Sequence, residues 1–314
     1  MQATRYSGVT TRIDAHNFTR DLDLSHDELG DLLLLAGEVK RSPAAFRDAL
    51  AGQYLSILFE KPSLRTRLTF ELAIKQLGGN CVSSTGPVAG REPIKDVARN
   101  LDRWTQCIVA RTFSQATIDE LAKWSAVPVV NALSDLYHPC QALADMVTLQ
   151  EQFGRLRGLK LAFVGDGNNV AHSLMLDAAR LGMDFAIATP AGYEPRPEIV
   201  SEAEGLAAIS GAAITVTNNP AEAVTGAHAV YTDVWTSMGF EDEAALRLQR
   251  FQAYQVTPDL MAEARPEAVF MHCLPAKRGQ ETVDEVIESP RSVVFDQAEN
   301  RLHVQKALLL MLLG

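Results

Sequence analysis

Short unbroken apolar runs alternate along this chain with longer stretches in which apolar residues return every third or fourth position, and Gly, Pro, Ser and Asp punctuate the changes. Runs of the first kind predict strands buried on both faces, and stretches of the second kind predict amphipathic helices. Ser25-His26-Asp27-Glu28 is a capping-box pattern ahead of Leu29, Leu32, Leu33 and Ala36, which sit at helical spacing. A strand is predicted over 55–59, then a helix from Thr66 through Phe70, Ala73, Ile74 and Leu77 that stops at Gly78-Gly79. A loop with Gly86, Pro87 and Gly90 follows. Beyond it come a helix opened by Pro93, a strand over 107–110, a helix over 118–123 and a strand over 127–130.

A long helix over 138–153 ends at Gly154, and the alternation then starts afresh. Strands are predicted over 160–164, 185–189, 213–217, 229–231, 269–271 and 293–295, with a final helix over 300–313. Such alternation predicts an α/β protein whose parallel sheets are flanked by helices. A chain of 314 residues exceeds what one core usually serves. Two domains are therefore expected, 1–150 and 151–298. The last helix, in 299–314, is apolar on several faces and is expected to pack back on the first domain.

Composition narrows the partners. A net charge of -10 and a pI near 5.2 oppose a surface for nucleic acid or anionic membrane. Any anion must be held by a local basic pocket. The four cysteines (Cys81, Cys107, Cys140, Cys273) are far apart with no C-x-x-C pair, which suits a reducing cytoplasm better than a disulfide framework or a zinc site. No structural metal is expected. No export signal stands at the N-terminus, and no run reaches the ~20 apolar residues a membrane span needs.

Five polar clusters fall where strands should end, the place where open parallel sheets bind ligands. Ser63-Leu64-Arg65-Thr66-Arg67 crowds hydroxyls and guanidinium forks at a helix start, where unpaired N–H groups and the helix dipole favour a phosphate. Arg111-Thr112 follows the strand over 107–110. His138-Pro139-Cys140-Gln141 opens the long helix, with Pro at the first helical position and His138 and Gln141 one turn apart. Asp233 begins Asp233-Val234-Trp235-Thr236-Ser237-Met238-Gly239, and its carboxylate suits an ammonium group. Cys273 lies in His272-Cys273-Leu274-Pro275 before Lys277 and Arg278, an electropositive setting expected to favour a thiolate. Each cluster also has a plain structural reading, as a helix cap, a snorkelling arginine, a core histidine or a buried thiol.

Gly165-Asp166-Gly167-Asn168-Asn169-Val170 stands where a dinucleotide fingerprint would. Val170 replaces the third glycine, and the next strand ends in Thr189-Pro190 rather than a ribose-binding acid, so a nicotinamide cofactor is not expected. Asn168 and Asn169 suit the polar groups of an amino acid instead.

With these residues assembled, the chain resembles the aspartate/ornithine carbamoyltransferase family along nearly its whole length. Ser63-Leu64-Arg65-Thr66-Arg67 is similar to the family's S-x-R-T-R signature, His138-Pro139-Cys140-Gln141 to its H-P-x-Q, and Arg111 to its phosphate arginine. Asp233 to Gly239, His272-Cys273-Leu274-Pro275 and Asn300-Arg301-Leu302-His303 resemble D-V-W-x-S-M-G, H-C-L-P and N-R-x-H of the ornithine branch. An aspartate enzyme would show H-P-L-P-R at the fourth place.

The resemblance implies carbamoyl transfer from carbamoyl phosphate to the δ-amine of L-ornithine in arginine metabolism, with no cofactor. Putrescine or an acylated ornithine is the alternative amine. It assigns Ser63, Leu64, Arg65, Thr66, Arg111, His138, Gln141, Cys273, Leu274 and Arg301 to carbamoyl phosphate. Asn169, Asp233, Ser237 and Met238 go to ornithine, with Cys273, Arg111, His138 and Asp233 as the catalytic group. Ser237-Met238-Gly239 is expected to close as a lid. The family further implies a homotrimer or a multiple of trimers, in which a loop of one subunit, here around 83–92, completes its neighbour's site. This loop is shorter than usual and lacks the Gln often found there, Leu64 stands where Thr is commoner, and Lys277 where His is frequent.

Overall fold

The structure, a computed structural model, describes residues 5–6, 9–10, 13–61, 63–88, 90–236 and 241–314. It divides into two units, 1–147 with 299–314, and 148–298.

The first unit opens with a two-residue ribbon, β1 (Arg5–Tyr6) against β2 (Val9–Thr10), and α1 (His26–Arg41). Ser25 and Glu28 close the capping box at the start of α1. Then come β3 (Tyr54–Phe59), α2 (Arg65–Gln76), β4 (Asn80–Thr85), α3 (Ile94–Leu101), β5 (Cys107–Arg111), α4 (Gln115–Trp124), β6 (Val129–Leu133) and α5 (Pro139–Phe153). The sheet is parallel with order β4-β3-β5-β6. Its strand order reverses between β3 and β5.

The second unit runs β7 (Lys160–Val164), α6 (Asn169–Leu181), β8 (Asp184–Ala188), α7 (Pro197–Ser210), β9 (Ile214–Thr217), α8 (Pro220–Val224) and β10 (Ala229–Thr232). It continues with α9 (Ala244–Phe251), α10 (Pro258–Ala262), β11 (Val269–His272), α11 (Asp284–Ile287) and the first turn of α12 (Val294–Leu313). Its parallel sheet has order β11-β10-β7-β8-β9 and reverses between β7 and β10. Every residue of β5, β10 and β11 is buried, as their apolar runs require of strands covered on both faces.

Three details differ from the sequence expectation. Residues 80–85, where no strand is predicted, form the edge strand β4. An edge strand needs no continuous apolar run, and Asn80-Cys81-Val82-Ser83-Ser84-Thr85 has none. The loop expected over 83–92 therefore starts at Gly86. Residues 293–295 are not a strand: Phe270 exchanges backbone hydrogen bonds with Arg291 and Val293, one bridge forms to Ser292, and the chain then enters α12 at Val294. The last helix is thus six residues longer at its start than its apolar pattern suggested, because its first turn leaves Phe295 exposed. From Glu299 onward α12 belongs to the first unit, where Ile13 N–H donates to Met311 O and Lys40 Nζ to Asn300 Oδ1.

Candidate active site

In the first unit the chemistry gathers at the reversal point of the sheet, past the ends of β3 and β5. Helix α2 begins at Arg65 with Leu64 in the cap position, no side-chain cap and no acidic residue in its first turn. Arg65 and Arg67 instead add cationic side chains at the positive end of the helix dipole, Arg67 pairing with Glu71 one turn on at 2.8 Å, and the helix start favours an anion. Helix α1, with Ser25, Asp27 and Glu28 at its start, is the ordinary opposite. Arg111, the last residue of β5, is buried and points Nη1 at Ser63 Oγ (3.4 Å) and Thr66 Oγ1 (3.5 Å). Arg301 of α12, also buried, donates Nη2 to the same Thr66 Oγ1 at 2.6 Å. Thr66 thus receives two guanidinium groups. Leu64 is exposed and has only its backbone to offer.

His138 caps α5: its carbonyl accepts from the N–H groups of Gln141 (3.0 Å) and Ala142 (3.2 Å). Its ring is buried. Desolvation first, then the charges of Arg301 and Arg111, hold its pKa well below the ordinary 6.5, so the imidazole is neutral at physiological pH. Gln141 is fully buried and donates Nε2 to Asp145 Oδ1 at 2.8 Å, while its Oε1 has no hydrogen-bond partner among the described residues. A buried acceptor left open is costly, and a ligand N–H would satisfy it. Cys140, between them, is a core residue whose thiol burial pushes up to about 12.

Two neighbours of this cluster, just ahead of Ser63 in the chain, had no role assigned from the sequence. The Glu60 carboxylate accepts Val88 N–H (3.0 Å) and Phe113 N–H (2.8 Å), bracing the loops after β4 and β5. Lys61 is buried with Nζ 4.2 Å from the centre of the Phe113 ring. An open pocket of about 600 Å³ lies here, lined by Lys61, Ser63, Leu64, Arg67, Thr85 and Gly86 among others.

In the second unit the equivalent place lies past the ends of β7 and β10. Asp233 Oδ1 accepts the Cys273 thiol (3.0 Å) and Val234 N–H (2.8 Å), and Oδ2 accepts Asn168 Nδ2 (2.8 Å). Asn168 Oδ1 in turn caps α6 by accepting from Val170 and Ala171. Asn168 is thus the asparagine that holds Asp233, and Asn169 is the first residue of α6. The expected cationic surroundings of Cys273 are corrected. Arg278 is exposed and paired with Asp284 and Glu288, and the thiol faces a carboxylate.

His272 is fully buried. Its Nδ1 accepts Leu274 N–H (2.8 Å) and its Nε2 lies 3.3 Å from Glu281 Oε1. Asp233, His272 and Cys273 bring possible ligand atoms within 4.8 Å of one another, but both His272 nitrogens are already engaged. Ser237 and Met238, expected at the amino-acid end, lie outside the described residues. The Gly165-Asp166-Gly167 turn is filled by protein, since a Cβ on Gly167 would overlap the Pro195 backbone nitrogen.

Residues 16–151 match the family model for the carbamoyl-P binding domain of aspartate/ornithine carbamoyltransferase, and residues 157–312 match that for its Asp/Orn binding domain. The chain belongs to the aspartate/ornithine carbamoyltransferase family. Among its relatives, it is 50% identical over 309 residues to the ornithine carbamoyltransferase of Symbiobacterium thermophilum, covering 97% of this chain and 100% of that one. The solved ornithine carbamoyltransferase of Pyrococcus furiosus superposes with a TM-score of 0.93 at 44% identity, covering 96% and 97% of the two chains. An acetylornithine transcarbamylase complexed with acetylcitrulline gives a TM-score of 0.86 at 34% identity, covering 95% and 99%. The fold is therefore shared by enzymes with different amines.

Proposed function

We infer that this protein transfers the carbamoyl group of carbamoyl phosphate to the δ-amine of L-ornithine, giving L-citrulline and phosphate. The observation that carries the phosphate half is the start of α2, cationic and without an acid, beside buried Arg111 and Arg301. Ser63, Leu64 N–H, Arg65, Thr66 and Arg111 hold the phosphate. Arg301, His138 and the open Gln141 Oε1 orient the carbamoyl group, with Thr66 and Arg111 beside its oxygen. Neutral His138 acts as a hydrogen-bond partner rather than a charge. Donors fixed before the reaction stabilise the oxyanion without reorganising.

Asp233 and Cys273 receive the amine. A free alkylammonium has a pKa near ~10.4, so only about one molecule in a thousand is nucleophilic at neutral pH. After releasing one proton to solvent on binding, the amine attacks the carbonyl carbon. The bond from that carbon to the phosphate oxygen breaks, phosphate leaves with the electron pair, and it takes the second amine proton. Leu274 N–H is already given to His272, which leaves its carbonyl for the carbamoyl end. Asn169, Ser237 and Met238 bind the amino-acid end.

The protein assembles as a homotrimer. Leu64, Leu68 and Leu72 form an exposed stripe at four-residue spacing along α2, and Val82 is exposed on the open edge strand β4. Apolar surface of this kind favours burial against another subunit. A cytoplasmic location and a role in arginine biosynthesis complete the reading. All four cysteines are free, as a reducing compartment requires, and no described helix is long and apolar enough to cross a membrane. Steady-state citrulline and carbamoyl-amine assays with ornithine, putrescine and N-acetylornithine test the reaction. Ornithine should have the highest kcat/KM, and a higher value for either rival would replace it as the substrate.

A further inference from the structure

The Gly165-Asp166-Gly167-Asn168 turn resembles a nucleotide fingerprint, yet its aspartate points inward to protein. We propose that the buried Asp166–Arg247 ion pair is a positioning device for the carboxylate of Asp233 and so sets the affinity for the amino-acid substrate. The substrate half of this proposal rests on the ornithine reading above.

Arg247, on α9, is almost wholly buried and bonds to three partners through Nη1 and Nε. Nη1 donates to Asp166 Oδ2 at 2.8 Å and to the Trp235 carbonyl at 3.0 Å, and Nε donates to Glu243 Oε2 at 2.8 Å. Its guanidinium carbon also lies 4.8 Å from the centre of the Tyr193 ring. One side chain thus grips the chain two residues before Asn168 and two residues after Asp233. Those two residues bond each other through Asn168 Nδ2 and Asp233 Oδ2. The turn transmits position because it is tight. Asn168 N–H donates to Asp166 O (2.8 Å), Gly167 N–H donates to Tyr193 O (2.9 Å), and Gly167 packs where no Cβ fits.

Burying an ion pair is poor value for stability, since two apolar side chains of similar volume often do as well. It does supply direction. Arg247 pairs with Asp166 and Glu243, and Asp166 also feels the charge of Asp233: burial first, then the two other carboxylates, push Asp166 up to about 6 against the pull of the arginine. Without the guanidinium, Asp166 and Asp233 would repel across the turn that links them. Lysine could keep the charge but could not make the three directed bonds or the ring contact together.

The test uses the full-length protein with Arg247→Lys and Asp166→Asn. We measure kcat and KM for ornithine, the dissociation constant of carbamoyl phosphate, the melting temperature, and the rate at which iodoacetamide alkylates Cys273 without substrates. The expected result is an ornithine KM raised about tenfold or more, with carbamoyl phosphate binding within about twofold of wild type. Cys273 alkylation should change several-fold, because its partner Asp233 has moved. If ornithine KM and the alkylation rate both stay within about twofold in the variants, the proposal is overturned, even if the melting temperature falls. Should Asp166→Asn not fold, Arg247→Lys alone decides. If the wild-type protein makes no citrulline, the ornithine reading fails by itself and the alkylation rate still decides the pair.

Discussion

Cys273 donates its thiol proton to Asp233 Oδ1 across 3.0 Å, so the proposed amine site is a carboxylate already served by three donors. An incoming ammonium would displace the weakest of them, the S–H. Removing it with Cys273→Ala leaves Oδ1 with Val234 N–H alone. The kcat/KM for ornithine should fall by about tenfold to a hundredfold, with a smaller change in carbamoyl phosphate affinity. Wild-type kinetics in this variant would end the proposed role for the thiol.

At the other sheet, Arg65→Ala removes a cationic side chain from the start of α2, where Arg67 is already paired with Glu71. Carbamoyl phosphate should bind about tenfold or more weakly, and the loss should shrink in high salt as ionic attraction is screened. Isothermal titration at two ionic strengths measures both. An unchanged affinity would take the start of α2 out of the site.

His138 sets a sign for stability against pH. Buried and flanked by Arg301 and Arg111, it takes up a proton only well below 6.5, whereas in the unfolded chain it does so near 6.5. The unfolded state therefore binds more protons below that pH, and this contribution, full above 6.5, is lost as pH falls. Asp166 works oppositely. Burial raises it from 3.8 to about 6, so the folded state is protonated first and gains as pH falls through 6. Urea midpoints at about pH 7.5 and about pH 5.5 should show a smaller acid loss in His138→Asn than in wild type, by on the order of 1 kcal/mol. Equal losses would mean that the ring is not buried neutral.

For the assembly, Leu68→Asp and Leu72→Asp place charges in the exposed stripe of α2. Burying either would cost several kcal/mol, about the scale needed to dissociate a subunit. Sedimentation should shift the mass from that of the proposed trimer toward that of a monomer. A variant that remains trimeric moves the interface elsewhere.

Gly167→Ala forces a Cβ into the Pro195 backbone. The turn carrying Asn168 must shift, so the variant should lose about 2 kcal/mol or more and bind ornithine less tightly. Thermal melting and ornithine KM check both effects, and unchanged values would mean the turn adapts freely.

The central strands were legible because each is covered on both faces and spells its burial as a continuous apolar run, as 107–110 does within Cys107–Arg111. The edge strand Asn80–Thr85 was not, since half-exposed polar residues can pair as well as they can loop. The same contrast holds for the candidate site. Motif spacing brought Ser63, Arg65, Arg111, His138, Gln141, Asp233 and Cys273 forward one by one, because hydroxyls, forks and carboxylates at strand ends announce their chemistry. It could not tell Asn168 from Asn169 as the partner of Asp233, or remove Arg278 from the surroundings of Cys273.

Local order therefore follows from the amino-acid string: where the period changes, which turns lack an acid, and which residue types stand at the strand ends. Partnership does not. That Arg301 meets Thr66 across 235 positions, and that Arg247 reaches Asp166 across 81, depends on strand order and helix direction. Side chains far apart in the chain meet only after parallel strands have paired and the helices have covered them, and no local pattern encodes that distance.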